Sequence, residues 1–121
     1  MTGWGGTRRL PQMIGKTRTL EMMAAGRRIT AAEARDFGLV NQVIGKKEWL
    51  EKAIELAGVV SRRPPIAVRL GKQAVLAAEE TGLAAGLDHE RRLYEIAMAT
   101  EDRVEGMTAF IEKRKPDFKG R

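Results

Sequence analysis

Apolar side chains recur at helical spacing along most of this chain. Within the segment 48–60 they fall on one face, at Trp49, Ala53, Ile54, Ala57 and Val60. The same spacing predicts further helices over 8–14, 16–25, 31–37, 65–78, 83–98 and 101–115, the last with a core face at Val104, Met107 and Ile111. The pattern therefore predicts a mostly α chain of about seven helices.

Local signals indicate where these helices begin and end. Gly26 follows a predicted helix at the position that favours a left-handed backbone. Thr30 and Glu33 have the spacing of a capping box, which predicts a helix start at Thr30. The other expected boundaries are N-caps at Thr7 and Thr100, a first turn at Pro65 and a stop at Pro116.

One segment departs from the helical pattern. Residues 39–44 are rich in apolar and β-branched side chains, which predicts a single short strand. A strand without a partner leaves backbone N–H and C=O groups unpaired, and this is costly. We therefore expect an orphan strand whose sheet is missing or is supplied by another chain.

The helix predicted over 65–78 carries apolar residues on more than one side. Its main stripe comprises Ile66, Leu70, Ala74 and Ala77, and Ala67, Val68 and Val75 lie outside that stripe. A helix with two apolar sides needs two packing partners. We therefore expect this chain to form a homo-oligomer.

Composition narrows the class of protein. The 121 residues include no cysteine, which excludes a disulfide framework and a thiolate metal site. The chain lacks a run of about 18 apolar residues, and its first residues lack the layout of a secretory signal. These features favour a folded cytoplasmic protein without a membrane partner.

The net charge of +6 permits an anionic partner such as nucleic acid. The basic residues are nevertheless scattered in pairs, and only Lys113-Arg114-Lys115 places three in a row. Aromatic side chains are not interleaved with them as a base-stacking surface requires. Solvated helix faces are therefore the preferred interpretation, and no nucleic-acid partner is expected.

Side chains that commonly perform catalysis are scarce. His89 is the single histidine, with no partners at metal-ligand spacing, and Ser61 is the single serine. The loop at Gly3, Gly5 and Gly6 lacks the preceding strand and the Lys-Ser/Thr pair of a phosphate-binding loop. We expect His89 at the surface, and we expect no metal site.

Five segments of the chain are distinctive together: GWGGTRRLP at 3–11, GRRITAAEA at 26–34, FGLVN at 37–41, residues 65–72, and EDRVEGMTAFIEKRKP at 101–116. In this order and spacing they resemble the carboxy-terminal half of the enoyl-CoA hydratase/isomerase (crotonase) family. The resemblance implies the helical carboxy-terminal portion of the ClpP/crotonase-like fold. Residues 1–44 would be the end of the core domain and 45–121 the helical oligomerisation part, in trimer-based assemblies.

The resemblance also implies which residues would face a substrate, a coenzyme A thioester, with no cofactor. In a complete enzyme the backbone N–H of Gly3 would contact the catalytic water. Phe110 and Lys113 would reach the coenzyme A of a neighbouring subunit, with Lys113 at a phosphate. The alternatives remain open: a simple turn at Gly3, core packing of Phe110, and a solvated charge at Lys113.

The family's catalytic glutamates and oxyanion-hole donors would precede Met1, so we expect this chain alone to be inactive. The whole enzyme would be a lyase or isomerase of fatty acid metabolism that hydrates a 2-enoyl-CoA or moves its double bond. A second hypothesis is a non-catalytic helical interaction module, and a third is a basic nucleic-acid-binding protein. Hydratase or isomerase activity and the acyl chain length both stay open.

Overall fold

The structure, a computed structural model, describes residues 3–121. Within this range seven α-helices and no strand are present: α1 (Gly6–Ile14), α2 (Lys16–Ala25), α3 (Ala31–Asp36), α4 (Trp49–Ser61), α5 (Pro65–Ala77), α6 (Leu83–Met98) and α7 (Glu101–Ile111). The predicted mostly α class is confirmed. None of the described helices combines the length and the apolar character that crossing a bilayer requires.

The chain divides into two compact units, the first ending at Leu50 and the second running from Glu51 to Arg121. This boundary lies a few residues after the predicted one between 44 and 45. The roles assigned to the two parts, core-domain end and oligomerisation part, stay predictions.

In the first unit, α1 and α2 pack against each other across a glycine junction. Gly15 has φ of 85°, a backbone that glycine adopts without steric penalty. The Thr19 hydroxyl donates to the Gly15 carbonyl at 2.9 Å. Ile14 and Thr19 are buried, so this turn carries the small core of the helix pair.

The predicted N-cap at Thr7 is wrong. The α1 helix already includes Gly6, and Gly5 precedes it with a left-handed backbone (φ 83°). The Gly5 carbonyl accepts from the Arg9 N–H at 2.9 Å, so the helical hydrogen bonding begins before Thr7. A left-handed glycine turn starts this helix without a side-chain cap.

The capping box of α3 is confirmed. The Glu33 N–H donates to the Thr30 hydroxyl at 3.2 Å, and the Thr30 N–H donates to the Glu33 carboxylate at 2.8 Å. The Arg27 guanidinium then bridges Glu21 of α2 and Glu33 of α3, at 2.8 and 2.7 Å. These contacts fix the turn between α2 and α3.

The predicted strand over 39–44 is wrong, since residues 3–121 contain no strand. The N–H groups of Leu39 and Val40 both donate to the Ala34 carbonyl, at 2.8 and 3.3 Å. They therefore close the end of α3 instead of joining a ladder. A strand exists only when another strand accepts its hydrogen bonds, and the described chain offers none.

In the second unit, α5 and α6 pack against each other and bury Leu70. Pro65 occupies the first turn of α5, as predicted. The α6 helix has the predicted bounds. The part of α4 that belongs to this unit keeps an uncovered apolar face, since Ile54 is 63% and Leu56 is 59% exposed.

The predicted N-cap of α7 is confirmed, because the Arg103 N–H donates to the Thr100 hydroxyl at 3.2 Å. The predicted core face of α7 is wrong: its three residues Val104, Met107 and Ile111 are more than half exposed. Asp102 and Ala109 are the buried residues of this helix. The buried side is the one on which residues 114–121, called here the tail segment, fold back.

The end of α7 also differs from the prediction. The helix ends at Ile111, before Pro116, and Lys113 takes a left-handed backbone with φ of 54°. That conformation cannot continue a right-handed helix. The chain therefore reverses at Lys113, and Pro116 lies in the returning tail segment.

Large apolar side chains are exposed on several helices. Ile54 on α4, Val75 on α5 and Leu83 on α6 are 63%, 71% and 79% exposed. Apolar helix faces are therefore open in the described chain.

Candidate functional site

Gly3 lies in the first unit, in the loop before α1. Its carbonyl accepts from the Gly6 N–H at 3.1 Å. A Cβ at Gly3 would meet no described atom within 4 Å, whereas Gly5 needs glycine because its φ is 83°. Crowding within the described loop therefore does not demand glycine at Gly3. Its contact with a catalytic water stays a prediction.

Phe110 and Lys113 lie in the second unit, one helical turn apart at the exposed end of α7. The Phe110 side chain is 85% exposed, so it packs into no core formed by residues 3–121. Nearby ion pairs join Arg114 to Glu105 and to Glu112, and Lys113 takes part in neither. An exposed apolar ring and an ammonium that forms no ion pair within residues 3–121 therefore lie three positions apart in the sequence at this helix end.

The backbone around Lys113 forms a complete helix-terminating motif. The Lys113 N–H donates to the Phe110 carbonyl at 3.3 Å, and the Arg114 N–H donates to the Ala109 carbonyl at 3.0 Å. These are the two hydrogen bonds of a Schellman motif, whose left-handed position is usually glycine. Placing lysine there costs about 1 kcal/mol in backbone strain.

A cluster of charges surrounds this turn. The Arg114 guanidinium donates to both carboxylate oxygens of Glu105, at 2.6 and 2.8 Å, and to Glu112 at 2.6 Å. Glu105 also accepts from the Asp117 N–H at 2.8 Å. A bidentate arginine–carboxylate pair fixes the relative orientation of the two side chains as well as the distance between them. Glu105 of α7 is therefore linked both to Arg114, directly after the turn, and to Asp117 further along the chain.

The tail segment is fastened further along α7 by a buried carboxylate. Asp102 is only 2% exposed and accepts from the N–H groups of Lys119 and Gly120, at 2.6 and 2.8 Å. Between these anchors the Phe118 ring lies over Gly106, where a Cβ would approach it to 3.3 Å. The tail segment therefore runs back along the buried side of α7.

The pKa of Glu105 is lowered from its ordinary value to about 2. The main cause is the hydrogen bonding from Arg114, followed by the hydrogen bond from the Asp117 N–H. Hydrogen bonds to Glu105, and next to Glu112, raise the pKa of Arg114. Both groups are therefore fully charged at neutral pH.

The pKa values of three other carboxyl groups are also lowered. The pKa of Glu33 is lowered, chiefly by the Thr30 N–H, and that of Asp88 is lowered, chiefly by hydrogen bonding to Arg91. The pKa of Glu55 is lowered by Lys52. A general acid needs a raised pKa, so these carboxylates are suited to ion pairing and not to proton transfer.

The second unit has several concave surfaces, one of which, about 510 Å³, is lined by Glu105 and Arg114. A cavity of about 610 Å³ lies between the end of α4, the start of α5 and the tail segment, and Arg62, Arg63 and Lys115 line it. Neither Phe110 nor Lys113 lines this cavity. His89 is exposed on α6, as predicted. Among residues 3–121, no cluster of side chains suited to holding a metal ion is found.

The sequence indicated Phe110 and Lys113 as candidates, which stay predictions, but not the contacts around them. The Glu105–Arg114 pair spans nine residues, and the Asp102–Gly120 hydrogen bond spans 18. Helical spacing carries no signal for a segment that leaves the helix and returns. The acidic residues in the first turns of α7, Asp102 and Glu105, are the signal that could have indicated acceptors for a returning chain.

Comparison with known proteins gives a match over the whole chain. The family model for enoyl-CoA hydratase/isomerase matches residues 1–121. The 2,3-dehydroadipyl-CoA hydratase of Escherichia coli (strain K12) is 46% identical over 121 residues, which are 100% of this chain and 48% of that protein. The mitochondrial enoyl-CoA hydratase of Pongo abelii is 42% identical over 117 residues, 97% of this chain and 40% of its own length.

Solved structures agree with the sequence matches. The crystal structure of enoyl-CoA hydratase from Bacillus anthracis superposes with a TM-score of 0.95 at 46% identity, covering 98% of this chain and 46% of that one. The fold is therefore a helical portion of the crotonase fold. The chain spans about half the length of the curated relatives it matches.

Proposed function

Since the chain belongs to the enoyl-CoA hydratase/isomerase family, we propose that it forms the carboxy-terminal half of an enzyme that hydrates or isomerises a 2-enoyl-CoA thioester. The observation that carries this proposal is the match of the family model to every residue, together with coverage of about half of each relative. The proposal assigns the proton-transfer steps to the other half of the enzyme.

The acidic residues of this chain support the assignment of proton transfer to the other half of the enzyme. The four carboxyl groups with a clearly shifted pKa all have it lowered, by hydrogen bonds and by basic partners. Addition of water to a double bond needs one group that accepts a proton and another that donates one. We therefore propose that this half binds and assembles, and that by itself it does not catalyse.

The end of α7 is proposed to bind coenzyme A. Lys113 carries an ammonium outside the neighbouring ion pairs, and a phosphate is a fitting partner for such a point charge. Phe110, 85% exposed, offers a flat apolar surface against the adenine or pantetheine part. The backbone N–H of Gly3 is proposed to contact the catalytic water in the complete enzyme.

The open apolar faces support assembly with further protein. Trp49 and Ile54 on α4 and Leu83 on α6 are each more than half exposed. A free monomer that left such faces in water would forgo roughly 1.5–3 kcal/mol per large side chain. We propose that the other half of the enzyme and further copies of this chain cover them, as in a homo-oligomer.

A direct assay tests the division between the two halves. Hydration of crotonyl-CoA, followed at the thioester absorbance, should be at the buffer rate with the purified chain alone. Activity should appear when the chain is combined with the amino-terminal half of an enzyme of this family. Turnover by the chain alone would overturn the proposal, and so would an assembled two-half complex without activity.

The role of Lys113 has its own test in the active complex. Lys113→Ala should raise KM for crotonyl-CoA about fivefold and leave kcat nearly unchanged, because an exposed ion pair contributes about 1 kcal/mol. Lys115→Ala removes an equally exposed cation two residues away and is the matched control. An equal effect of both variants, or no effect of either, would remove Lys113 from the coenzyme A site.

A further inference from the structure

The backbone of Lys113 is the unexplained feature of the α7 end. Its φ of 54° lies in the left-handed region, which lysine rarely adopts. Elsewhere the described chain places glycine at such helix ends, as at Gly26 with φ of 66°. A non-glycine residue in this conformation persists only where its surroundings enforce it, and such residues cluster at functional sites.

The neighbours of Lys113 on both sides are held to α7. Before it, the Glu112 N–H donates to the Thr108 carbonyl at 2.9 Å. After it, the Arg114 side chain reaches back two helical turns to both carboxylate oxygens of Glu105. With both flanks fixed, the backbone of Lys113 has to turn sharply between them. The Glu105–Arg114 pair is thus a cause of the left-handed turn.

The returning chain strengthens the same constraint. Asp117 donates its N–H to Glu105, and Lys119 and Gly120 donate theirs to Asp102. The tail segment cannot move away from α7 without breaking these bonds. It therefore fixes the backbone that follows Lys113.

The Lys113 ammonium forms no ion pair within residues 3–121. Glu112 is the carboxylate adjacent to it in sequence. Arg114 takes Glu112 at 2.6 Å as well as Glu105, so both acidic side chains are already paired. A cation that has no carboxylate partner of its own is available to an anionic ligand.

We propose that Glu105 and Arg114 are positioning residues, which set the direction of Lys113 and withhold carboxylates from it, so that its ammonium meets a phosphate of the coenzyme A substrate. This inference rests on the proposed function. Neither Glu105 nor Arg114 touches the substrate, and both act through Lys113.

A double-mutant cycle in the active two-half complex tests the proposal. Glu105→Gln should raise KM for crotonyl-CoA about three- to fivefold with kcat within about twofold, because only binding is disturbed. In the Lys113→Ala background the same substitution should leave KM unchanged, since the residue it positions is gone. Glu55→Gln, which removes a lysine-paired carboxylate on α4, is the matched control and should leave KM unchanged.

The outcomes distinguish a failure of the positioning role from a failure of the coenzyme A contact at Lys113. If Lys113→Ala raises KM and Glu105→Gln does not, the positioning role is overturned and the site of the proposed function stands. If Glu105→Gln raises KM equally in both backgrounds, it acts without Lys113 and the positioning role is again overturned. If Lys113→Ala has no effect, both the positioning role and the coenzyme A contact are overturned.

A structural readout is independent of activity. In nuclear magnetic resonance spectra of the complex, the Cα and Cβ shifts of Lys113 report its left-handed backbone, and Glu105→Gln should move them. Unchanged shifts would overturn the proposal. Should Glu105→Gln fail to assemble, Arg114→Lys replaces it, since lysine keeps the charge but cannot bind both carboxylate oxygens, and the same results are expected.

Discussion

The chain takes a left-handed backbone after both α2 and α7, but with different residues at that position. Each helix is followed by a left-handed residue, with φ of 66° at Gly26 and 54° at Lys113. At Gly26 glycine meets the requirement without strain, and a Cβ there would contact nothing within 4 Å. At Lys113 a long charged side chain occupies the strained position, and the tail segment holds it there.

The difference teaches where backbone strain is tolerated. At Gly26 only the direction of the chain matters, because Arg27 makes the bridging contacts to Glu21 and Glu33. At the end of α7 a side chain is presented at the turn itself. Hydrogen bonds from the tail segment to Glu105 and Asp102 offset the strain. A strained position with such support is a reasonable place to look for function.

The largest effect is expected at the buried anchor of the tail segment. Asp102→Ala leaves the Lys119 and Gly120 N–H groups without their acceptor, which should destabilise the tail segment by roughly 2–4 kcal/mol. Amide hydrogen exchange of Gly120 should accelerate by about 30-fold or more. Thr19→Ala, which removes a part-buried hydrogen bond in the first unit, should leave that exchange unchanged. Slow exchange in Asp102→Ala would show that other contacts hold the tail segment.

A substitution at Gly26 tests the helix end at which the left-handed backbone is unstrained. Gly26→Ala forces a side chain into the left-handed region and should lower the free energy of unfolding by about 1 kcal/mol. Urea unfolding should show a lower midpoint with an unchanged slope. Gly82→Ala is the control, because Gly82 has φ of −69° and a Cβ there meets nothing within 4 Å. Equal midpoints for Gly26→Ala and wild type would mean that this helix end can shift.

The converse change at Lys113 should stabilise the chain. Lys113→Gly removes the strain at φ 54° and should raise the free energy of unfolding by about 0.5–1 kcal/mol, while weakening the proposed coenzyme A contact. A higher urea midpoint together with a lower substrate affinity would indicate that the strain is retained for function. A destabilised Lys113→Gly variant would contradict this interpretation.

The smallest effect at neutral pH concerns the charge of Glu105. Its pKa is lowered to about 2 in the folded chain from an ordinary 4.5. The stabilisation is therefore present above about pH 4.5 and is lost as pH falls through about 2. The stability contributed by this pair should be constant between pH 5 and 8. Carboxyl ¹³C titration should give the low pKa in wild type and a value closer to ordinary in Arg114→Gln.

Several helix boundaries set by neighbouring residues were predictable from the sequence, although the N-cap predicted at Thr7 is wrong. Gly26 and the Thr30–Glu33 capping box were both identified, and the bounds of α2 and α6 agree with the prediction. These signals work because a cap satisfies backbone groups no more than four residues away. The predicted strand failed because a strand depends on a partner that no local pattern supplies.

The sequence alone determined most of the helices, the family resemblance and the identity of Phe110 and Lys113 as candidates. The tertiary structure decided which side of α7 is covered, that Phe110 is exposed, and that Lys113 lies at a strained turn. The physical reason is the reach of the interactions. Capping and amphipathic spacing act within a few residues, whereas the bonds from Glu105 and Asp102 join residues 9 to 18 positions apart once the chain has turned back.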